Sequence, residues 1–203
     1  MISELTLAAD PASWRASGLS VADDGTTVIG GTRLRFVPPS QGDGLLAWGL
    51  ADPAAPSSID GLTTSYAAPP PGAAPDTHPL GAIGIDHVVV ATSDLERTCA
   101  AIADATGAPL RRIREVGSMR QGFHRAGELV IEVVTFPDLP AGPAAFWGLV
   151  LTVVDLDAAV ALLGPDRVGE PKDAVQLGRR IATVRIEAGL GCRVALLSPH
   201  NRR

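Results

Sequence analysis

Two stretches in the C-terminal two thirds of the chain repeat one pattern, and this repeat is the strongest constraint on the fold. Residues 85–137 open with IDHVVVATSDLERTCAAIADATG and close with ELVIEVVTFP. Residues 147–199 open with WGLVLTVVDLDAAVALLG and close with CRVALLSP, so two blocks of 53 residues begin 62 residues apart. Self-similarity at a fixed period is typical of one supersecondary unit that is used twice. The sequence therefore predicts two similar modules side by side.

Each copy predicts the order β-α-β-β-β. A short run of β-branched and apolar residues comes first and indicates a buried strand. The Ala- and Leu-rich segment that follows predicts a helix that ends at Gly107 in one copy and at Gly164 in the other. Three short strand candidates complete each copy, the last of them ending at Pro137 or Pro199. The residues that can cap the two helices are Ser93 or Asp94 in the first copy and Asp155 or Asp157 in the second.

This order, with a histidine in the first strand and a glutamate in the last, resembles the vicinal oxygen chelate superfamily. That group includes glyoxalase-like, bleomycin-resistance-like and extradiol-dioxygenase-like proteins. The residues that carry the resemblance are His87 in IDHVVVATSDLERT and Glu132 in LVIEVV, which stand at two of the family's metal-ligand positions. The resemblance covers about residues 81–199. It implies an α+β fold in which two βαβββ modules curl their mixed sheets around one cavity, each module usually supplying two metal ligands.

The second copy departs from the family pattern at both of its ligand positions. Gly148 and Val194 stand where the first copy has His87 and Glu132. A slip of one or two residues along the last strand offers Arg193, Ala195 or Leu196, none of them acidic. A catalytic metal site usually has about three protein ligands. His87 with Glu132 suits zinc, nickel, iron or manganese, and it equally suits an ordinary His–Glu hydrogen bond.

Five side chains are the candidates for chemistry and ligand binding. Glu132 lies within an otherwise apolar strand, where a carboxylate needs a partner or a role, so it is a candidate acid or base as well as a metal ligand. His124 is a candidate third ligand or proton carrier. Arg120 and Gln121 belong to the strand expected beside Glu132 and are candidate pocket residues, because an arginine in a cavity binds carboxylate or phosphate. Trp147 stacks on a ligand or packs in the core.

Three arginines of the second copy are better explained as a surface charge cluster than as an anion site. They lie in LGRRIATVRIEAG, in a strand with one face expected to meet solvent. The three are Arg179, Arg180 and Arg185.

The first 81 residues divide into two parts, ahead of a glyoxalase-like domain over 82–203. Residues 1–52 again read β-α-β-β-β with very short strands, including LSV at 19–21. They indicate a reduced third module or, alternatively, a β-extension that covers a sheet edge. Residues 53–81 are rich in Pro, Ala and Gly and predict a semi-rigid linker. His78, within that linker, is expected to be exposed.

Composition excludes several classes of protein. A net charge of −5 and a pI of about 5.3 do not favour nucleic-acid binding. No apolar run approaches the roughly 18 residues of a membrane-spanning helix, and the N-terminus lacks the features of a signal peptide. The two cysteines, Cys99 and Cys192, show no metal-binding spacing and fit a reduced, cytoplasmic compartment. Arginine outnumbers lysine sixteen to one, which is typical of a high-GC bacterial coding sequence.

Three functions remain open from the sequence. The first is a metal-dependent isomerase, epimerase or lyase that acts on a small oxygen-rich molecule. The alternative is a metal-free protein that binds a small molecule, with a degenerate metal site. The third is an assembly or regulatory module without a ligand. The family's habits and the apolar composition favour a homodimer in each case.

Overall fold

The computed structural model describes residues 1–72, 74 and 77–200, which form two β-sheets and three α-helices. Two single 3₁₀ turns add to these, at Pro39–Gln41 and Ile186–Ala188. No helix in this part of the chain is long and apolar enough to span a membrane. In chain order the elements are β1 (Ile2–Ala8), α1 (Pro11–Ala16), β2 (Thr26–Ile29), β3 (Thr32–Val37), β4 (Gly44–Leu50), β5 (Ser58–Ile59), β6 (Leu62–Tyr66), β7 (Ala82–Ala91), α2 (Leu95–Thr106), β8 (Leu110–Val116), β9 (Met119–Ala126), β10 (Leu129–Thr135), β11 (Ala145–Val153), α3 (Leu156–Leu163), β12 (Lys172–Asp173), β13 (Arg180–Thr183) and β14 (Arg193–Leu197).

The C-terminal repeat folds as two βαβββ modules, which confirms the predicted fold class. They share an eight-stranded sheet in the order β12-β13-β14-β11-β7-β10-β9-β8. The first strand of each module is parallel to its last, β7 to β10 and β11 to β14, and the two first strands pair antiparallel at the centre. Asp94 and Asp155 cap the helices α2 and α3 by accepting a hydrogen bond from the backbone three residues on. Gly107 ends α2 in the left-handed conformation, as its position predicted.

The N-terminal sheet repeats the plan of the large sheet with fewer strands. Its order is β2-β3-β1-β4-β6-β5, with an antiparallel central pair β1–β4 and a parallel partner on each side. Residues 19–21 form no strand, so the predicted strand there is wrong. The backbone N–H of Leu19 donates to the carbonyl of Trp14 at 3.1 Å, and this bond turns the segment back onto the end of α1.

The predicted linker over 53–81 is wrong in its first half. Residues 58–66 contribute β5 and β6 to the N-terminal sheet. Residues 73, 75 and 76 of that linker lie outside the described part of the chain. The N-terminal sheet therefore extends beyond residue 52, and the division of the chain at residue 81 stays a prediction.

His78 is buried, which corrects the expectation that it is exposed. Only 3% of the residue is accessible. The N–H of Ser20 reaches its Nδ1 at 3.2 Å, and its Nε2 lies 2.9 Å from the carbonyl oxygen of Val28. Both ring nitrogens therefore satisfy backbone groups of the N-terminal region, which explains how a polar ring is accommodated there.

One hydrophobic core joins the two sheets. It contains side chains from one face of each sheet together with the buried faces of the helices. Trp48 of β4 packs edge-on against Phe146 of β11 at a centroid distance of 5.2 Å. Val88 and Ile131 of the large sheet belong to this core, whereas Val89 belongs to a second, smaller cluster. Because side chains alternate along a strand, the residues between the core positions point to the opposite face.

Candidate functional site

The face of the large sheet that points away from the core carries both predicted ligand residues. We call it the site face. Residues paired across neighbouring strands share a face, and two adjacent rows of pairs cross it. The first row runs through Arg125, Val130, His87, Val150 and Ala195, and the second through Arg112, Phe123, Glu132, Val89, Gly148 and Arg193.

Gly148 is the symmetry equivalent of His87. His87 pairs with Val150, and Gly148 pairs in turn with Val89 across the central antiparallel strands. His87 lies 61 positions before Gly148, and Val89 lies 61 positions before Val150, so the symmetry of the two modules converts one pair into the other. A Cβ at Gly148 would overlap with the carbonyl oxygen of Arg193, so the backbone leaves no room there for a histidine.

Ala195 is the symmetry equivalent of Glu132, which corrects the predicted position, Val194. Glu132 pairs with Val89 in parallel, and Ala195 pairs with Val150 in the same way. Val194 is one residue away and therefore points into the core, where it is buried. The one-residue slip considered from the sequence is thus the actual register, and it recovers no carboxylate.

His87 lies between two carboxylates. Its Nδ1 is 2.6 Å from Oδ2 of Asp86, and its Nε2 is 3.5 Å from Oε2 of Glu132. Neighbours on a strand ordinarily point to opposite faces. A register shift relative to β11, located between Ile85 and His87, brings Asp86 beside the imidazole instead. Such irregularities re-aim side chains next to functional sites.

Arg179 holds the far side of Asp86. Its side chain is 2% exposed, and Nη1 donates to Oδ1 of Asp86 at 2.6 Å. Nε donates to the carbonyl oxygen of Ser198 at 2.7 Å, and His200 Nε2 lies 3.2 Å from Nη1. The prediction that Arg179 belongs to a surface cluster is therefore wrong. Burial alone would raise the pKa of Asp86, but the hydrogen bonds and charges of His87 and Arg179 outweigh it and lower that pKa to about 2.

Glu132 is a buried carboxylate whose proton affinity is increased. The residue is 9% exposed. Burial raises the pKa of Glu132 above its ordinary 4.5, and the charge of His87, the hydrogen bond from Gln121 and the charge of Arg114 oppose this only in part. Gln121 Nε2 donates to Oε1 of Glu132 at 2.5 Å. The structure therefore brings Gln121 to the predicted site.

The ring of His124 lies on the opposite face of the sheet from His87 and Glu132, although the residue also borders the cavity described below. It pairs with Ile131, a core residue one position from Glu132. Its Nδ1 is 2.8 Å from the carbonyl oxygen of Ala108, and the ring is 1% exposed. The prediction of His124 as a third ligand or proton carrier is therefore corrected, because strand alternation turns it away from His87.

Arg120 also lies on the face opposite Glu132. Its Nη2 is 2.6 Å from Oε1 of Glu96 on α2, and its Nε is 3.7 Å from Oε1 of Glu115. It pairs across the sheet with Thr135, three residues from Glu132. The predicted pocket role of Arg120 is corrected for the same reason of alternation.

Trp147 lies at the surface beside the site face. It is 41% exposed, with its ring 5.7 Å from that of Phe136 and under the guanidinium of Arg193 at 4.9 Å. A register shift between Phe146 and Gly148 places it at an irregularity of β11. Core packing is therefore not its role, and ligand stacking stays a prediction.

A cavity of about 340 Å³ opens on the site face. Its lining joins His87 to an arginine-rich wall from β8 and β9, which sequence reasoning missed. The segment LRRIREV could have indicated these arginines from the sequence, since side chains alternate along a strand and Arg112 and Arg114 therefore share one face. The lining residues are His87, Arg111, Arg112, Phe123, His124, Arg125, Val130 and Gln176.

The residues present do not fit the metal site that the fold family implies. His87 and Glu132 are the side chains at ligand positions, and Gly148 and Ala195 offer no donor atom in theirs. In the described part of the chain no three His, Cys, Asp or Glu residues form a group that could hold a metal ion. A catalytic site normally needs about three protein ligands.

We expect Gly148→Ala to lower the free energy of unfolding by about 1–3 kcal/mol, because the new Cβ would be forced against backbone. Gly84→Ala is the matched control, since a Cβ at Gly84 of β7 meets nothing within 4 Å. Urea unfolding of both variants gives the comparison. Equal unfolding free energies of the two variants would show that β14 shifts to make room, and that a side chain at position 148 is tolerated.

Comparison with known proteins gives the fold. No protein-family model matches the sequence. No curated protein matches it either. Among solved structures, methylmalonyl-CoA epimerase from Mycobacterium tuberculosis is similar with a TM-score of 0.50 and 19% identity, over 60% of this chain and 91% of the other. A Streptomyces coelicolor methylmalonyl-CoA epimerase in complex with 2-nitronate-propionyl-CoA has a TM-score of 0.47 and 18% identity, over 56% and 95%. A hypothetical protein from Bacillus halodurans C-125 has a TM-score of 0.49 and 13% identity, over 59% and 96%.

The chain therefore has the vicinal oxygen chelate, or glyoxalase-like, fold that the resemblance of residues 81–199 implied. The Mycobacterium tuberculosis methylmalonyl-CoA epimerase is a solved structure that shares this fold.

Proposed function

We propose that this protein is a proton-transfer enzyme of the epimerase or isomerase type, which acts on a small oxygen-rich molecule without a metal ion. The observation that carries the proposal is the buried Glu132 carboxylate, held 3.5 Å from Nε2 of a histidine that lines the cavity. A carboxyl group buried at a pocket with increased proton affinity is suited to acid–base chemistry.

Glu132 is the proposed base. Its carboxylate removes a proton from the carbon next to a carbonyl, and the C–H electron pair moves into the enolate. The carboxylic acid so formed returns a proton to the same carbon after the enolate has turned its opposite face towards Glu132, which inverts the configuration there. The cycle consumes no other reactant. Burial raises the pKa of Glu132 in the direction of neutral pH, and a general base is most effective when its pKa lies near the working pH.

His87 is the proposed partner at the reacting oxygen. Asp86 accepts from Nδ1–H and thereby orients the ring so that Nε2 faces Glu132 and the cavity. Arg179 in turn fixes Asp86 through a 2.6 Å bond. Arg179 and Asp86 therefore hold the His87 imidazole in place and do not contact the substrate themselves.

Exchange of substrate protons with solvent tests this function. The chelator-treated protein is incubated in D₂O with a panel of methylmalonyl-CoA, methylmalonate and 2-oxo acids, and deuterium at carbon is followed by NMR. We expect exchange with at least one compound above the protein-free rate, unchanged by the chelator, and no stoichiometric metal by ICP-MS. Exchange that disappears with the chelator and returns with zinc, nickel, iron or manganese would refute the metal-free mechanism.

A metal-free binding protein is the second candidate. The observation that favours it is the loss of both donor positions in the second module, Gly148 and Ala195. Saturable binding of a panel compound without any exchange into carbon would support binding and refute the enzyme.

A homodimer and a cytoplasmic location stay proposals that follow from composition and the fold's habits. Light scattering on the purified chain measures the first, and the reduced state of Cys99 and Cys192 in cells bears on the second.

A further inference from the structure

We propose that Arg112 and Arg125 form a binding wall for an oxyanion, so the substrate carries a carboxylate or a phosphate group besides its reacting carbon. The inference rests on the proposed function for the reacting end of the molecule and adds the recognition of the other end. It concerns the outer strands β8 and β9, beyond the His87–Glu132 pair.

Both arginines lie in the two rows that contain the reacting groups. Arg125 shares a row with His87 and is two strands away from it, and Arg112 shares a row with Glu132 at the same separation. Two strand spacings are about 10 Å between backbones. A long arginine side chain leaning inward therefore reaches a small molecule whose reacting carbon contacts Glu132.

The wall has no acidic counterpart in the described part of the chain. No ion pair in that part of the chain involves the three arginines that line the cavity or the neighbouring Arg114, whereas six arginines elsewhere pair with carboxylates. The chain as a whole carries a net charge of −5, so a local excess of guanidinium groups is not a consequence of composition. The four are Arg111, Arg112, Arg114 and Arg125.

Phe123 orients one of these guanidinium groups. The Arg112 guanidinium lies over the Phe123 ring at 5.1 Å, and Phe123 itself stands beside Glu132 in the second row. Stacking on an aromatic face leaves the N–H groups at the edge of the guanidinium free to donate in its plane. A planar fork of donors matches the two oxygens of a carboxylate or phosphate.

Arg114 adds to the same field at the reacting end. It pairs with Gln121, the residue that donates to Glu132. Its charge favours the ionised form of that carboxylate. The positive potential therefore extends along β8, from the wall towards the base, and would draw an anionic substrate into the cavity.

Binding of small anions to the intact protein tests the wall without turnover. Inorganic phosphate and malonate are titrated by isothermal calorimetry at low ionic strength into the wild type, Arg112→Ala and Arg125→Ala. We expect saturable binding of at least one probe, weakened about 10- to 100-fold by either substitution, as for lost hydrogen bonds between charged groups. The probe that binds more tightly identifies the oxyanion as phosphate or carboxylate.

Arg120→Ala is the matched control. Arg120 lies on β9 like Arg125 but on the opposite face, and its replacement by alanine removes the same charge. We expect its anion affinity to equal that of the wild type. No saturable binding of either probe, or equal weakening in all three variants, would overturn the proposal. Glu132→Gln should still bind the probes, because it leaves both arginines in place. Absence of proton exchange in the wild type, together with anion binding that either arginine substitution weakens, would refute the enzyme function and leave the wall standing.

Discussion

The Asp86→Ala variant is expected to lose about 3–5 kcal/mol of its unfolding free energy at neutral pH. The substitution leaves the guanidinium of Arg179, whose side chain is 2% exposed, without its carboxylate partner. Removal of one partner of a buried ion pair is strongly destabilising, because the other charge remains uncompensated in a poorly solvated position. Urea unfolding at pH 7 measures the loss.

Asp157→Ala is the control for this loss. Asp157 also pairs with an arginine, Arg180, but both side chains are exposed, at 68% and 45%. We expect at most about 1 kcal/mol from this surface pair. Equal losses in the two variants would contradict the role of Asp86 as a buried anchor.

The same pair sets a pH window. The pKa of Asp86 is held at about 2 against an ordinary 3.8, so the folded state favours the ionised form. Its contribution is complete above the ordinary pKa and is lost as pH falls through about 2. The stability difference between wild type and Asp86→Ala should therefore shrink between roughly pH 4 and pH 2.

The Glu132→Gln variant is expected to lose about 10²- to 10⁴-fold in proton exchange, the usual contribution of a positioned base. It should not lose stability at neutral pH. Burial raises the pKa of Glu132, so the folded state disfavours the ionised form, and the amide removes that penalty. Exchange rates come from NMR in D₂O, and stabilities from urea unfolding of the same samples.

The sign of the pH dependence separates Glu132 from Asp86. A raised pKa makes the stability of the wild type fall as pH rises from the ordinary 4.5 through the folded value. Glu132→Gln should therefore gain on the wild type over that range, while the exchange rate of the wild type climbs with ionisation of the base.

Glu128→Gln is the matched control for Glu132→Gln. Glu128 lies exposed between β9 and β10, and its substitution should change neither exchange nor stability. Strong destabilisation by Glu132→Gln with unchanged exchange would instead assign Glu132 a structural role.

Local sequence signals were sufficient for the modules. Asp94 and Asp155 cap their helices and Gly107 closes α2, because capping depends on a few neighbouring residues. The N-terminal region was predicted less well. Its strands β5 and β6 lie in a Pro- and Gly-rich stretch, where pairing with β4 outweighs the composition.

The candidate site was likewise predicted only in part from the sequence. The proximity of His87 to Glu132 agrees with the family motifs, and Gln121 lies on the strand beside Glu132 as expected, while the roles of all three stay proposals. His124 and Arg120 were misplaced because a shift of one residue along a strand reverses the face that a side chain meets.

The sequence by itself determined that there are two βαβββ modules and that the second lacks both ligand side chains, since repeats and residue types are written along the chain. Only the tertiary structure decided that Arg179 meets Asp86 across 93 residues of sequence. It also decided that Arg112 and Arg125 share rows with Glu132 and His87. These contacts depend on strand register and on the irregularity at Asp86, which arise when separate segments pair and which no single segment encodes.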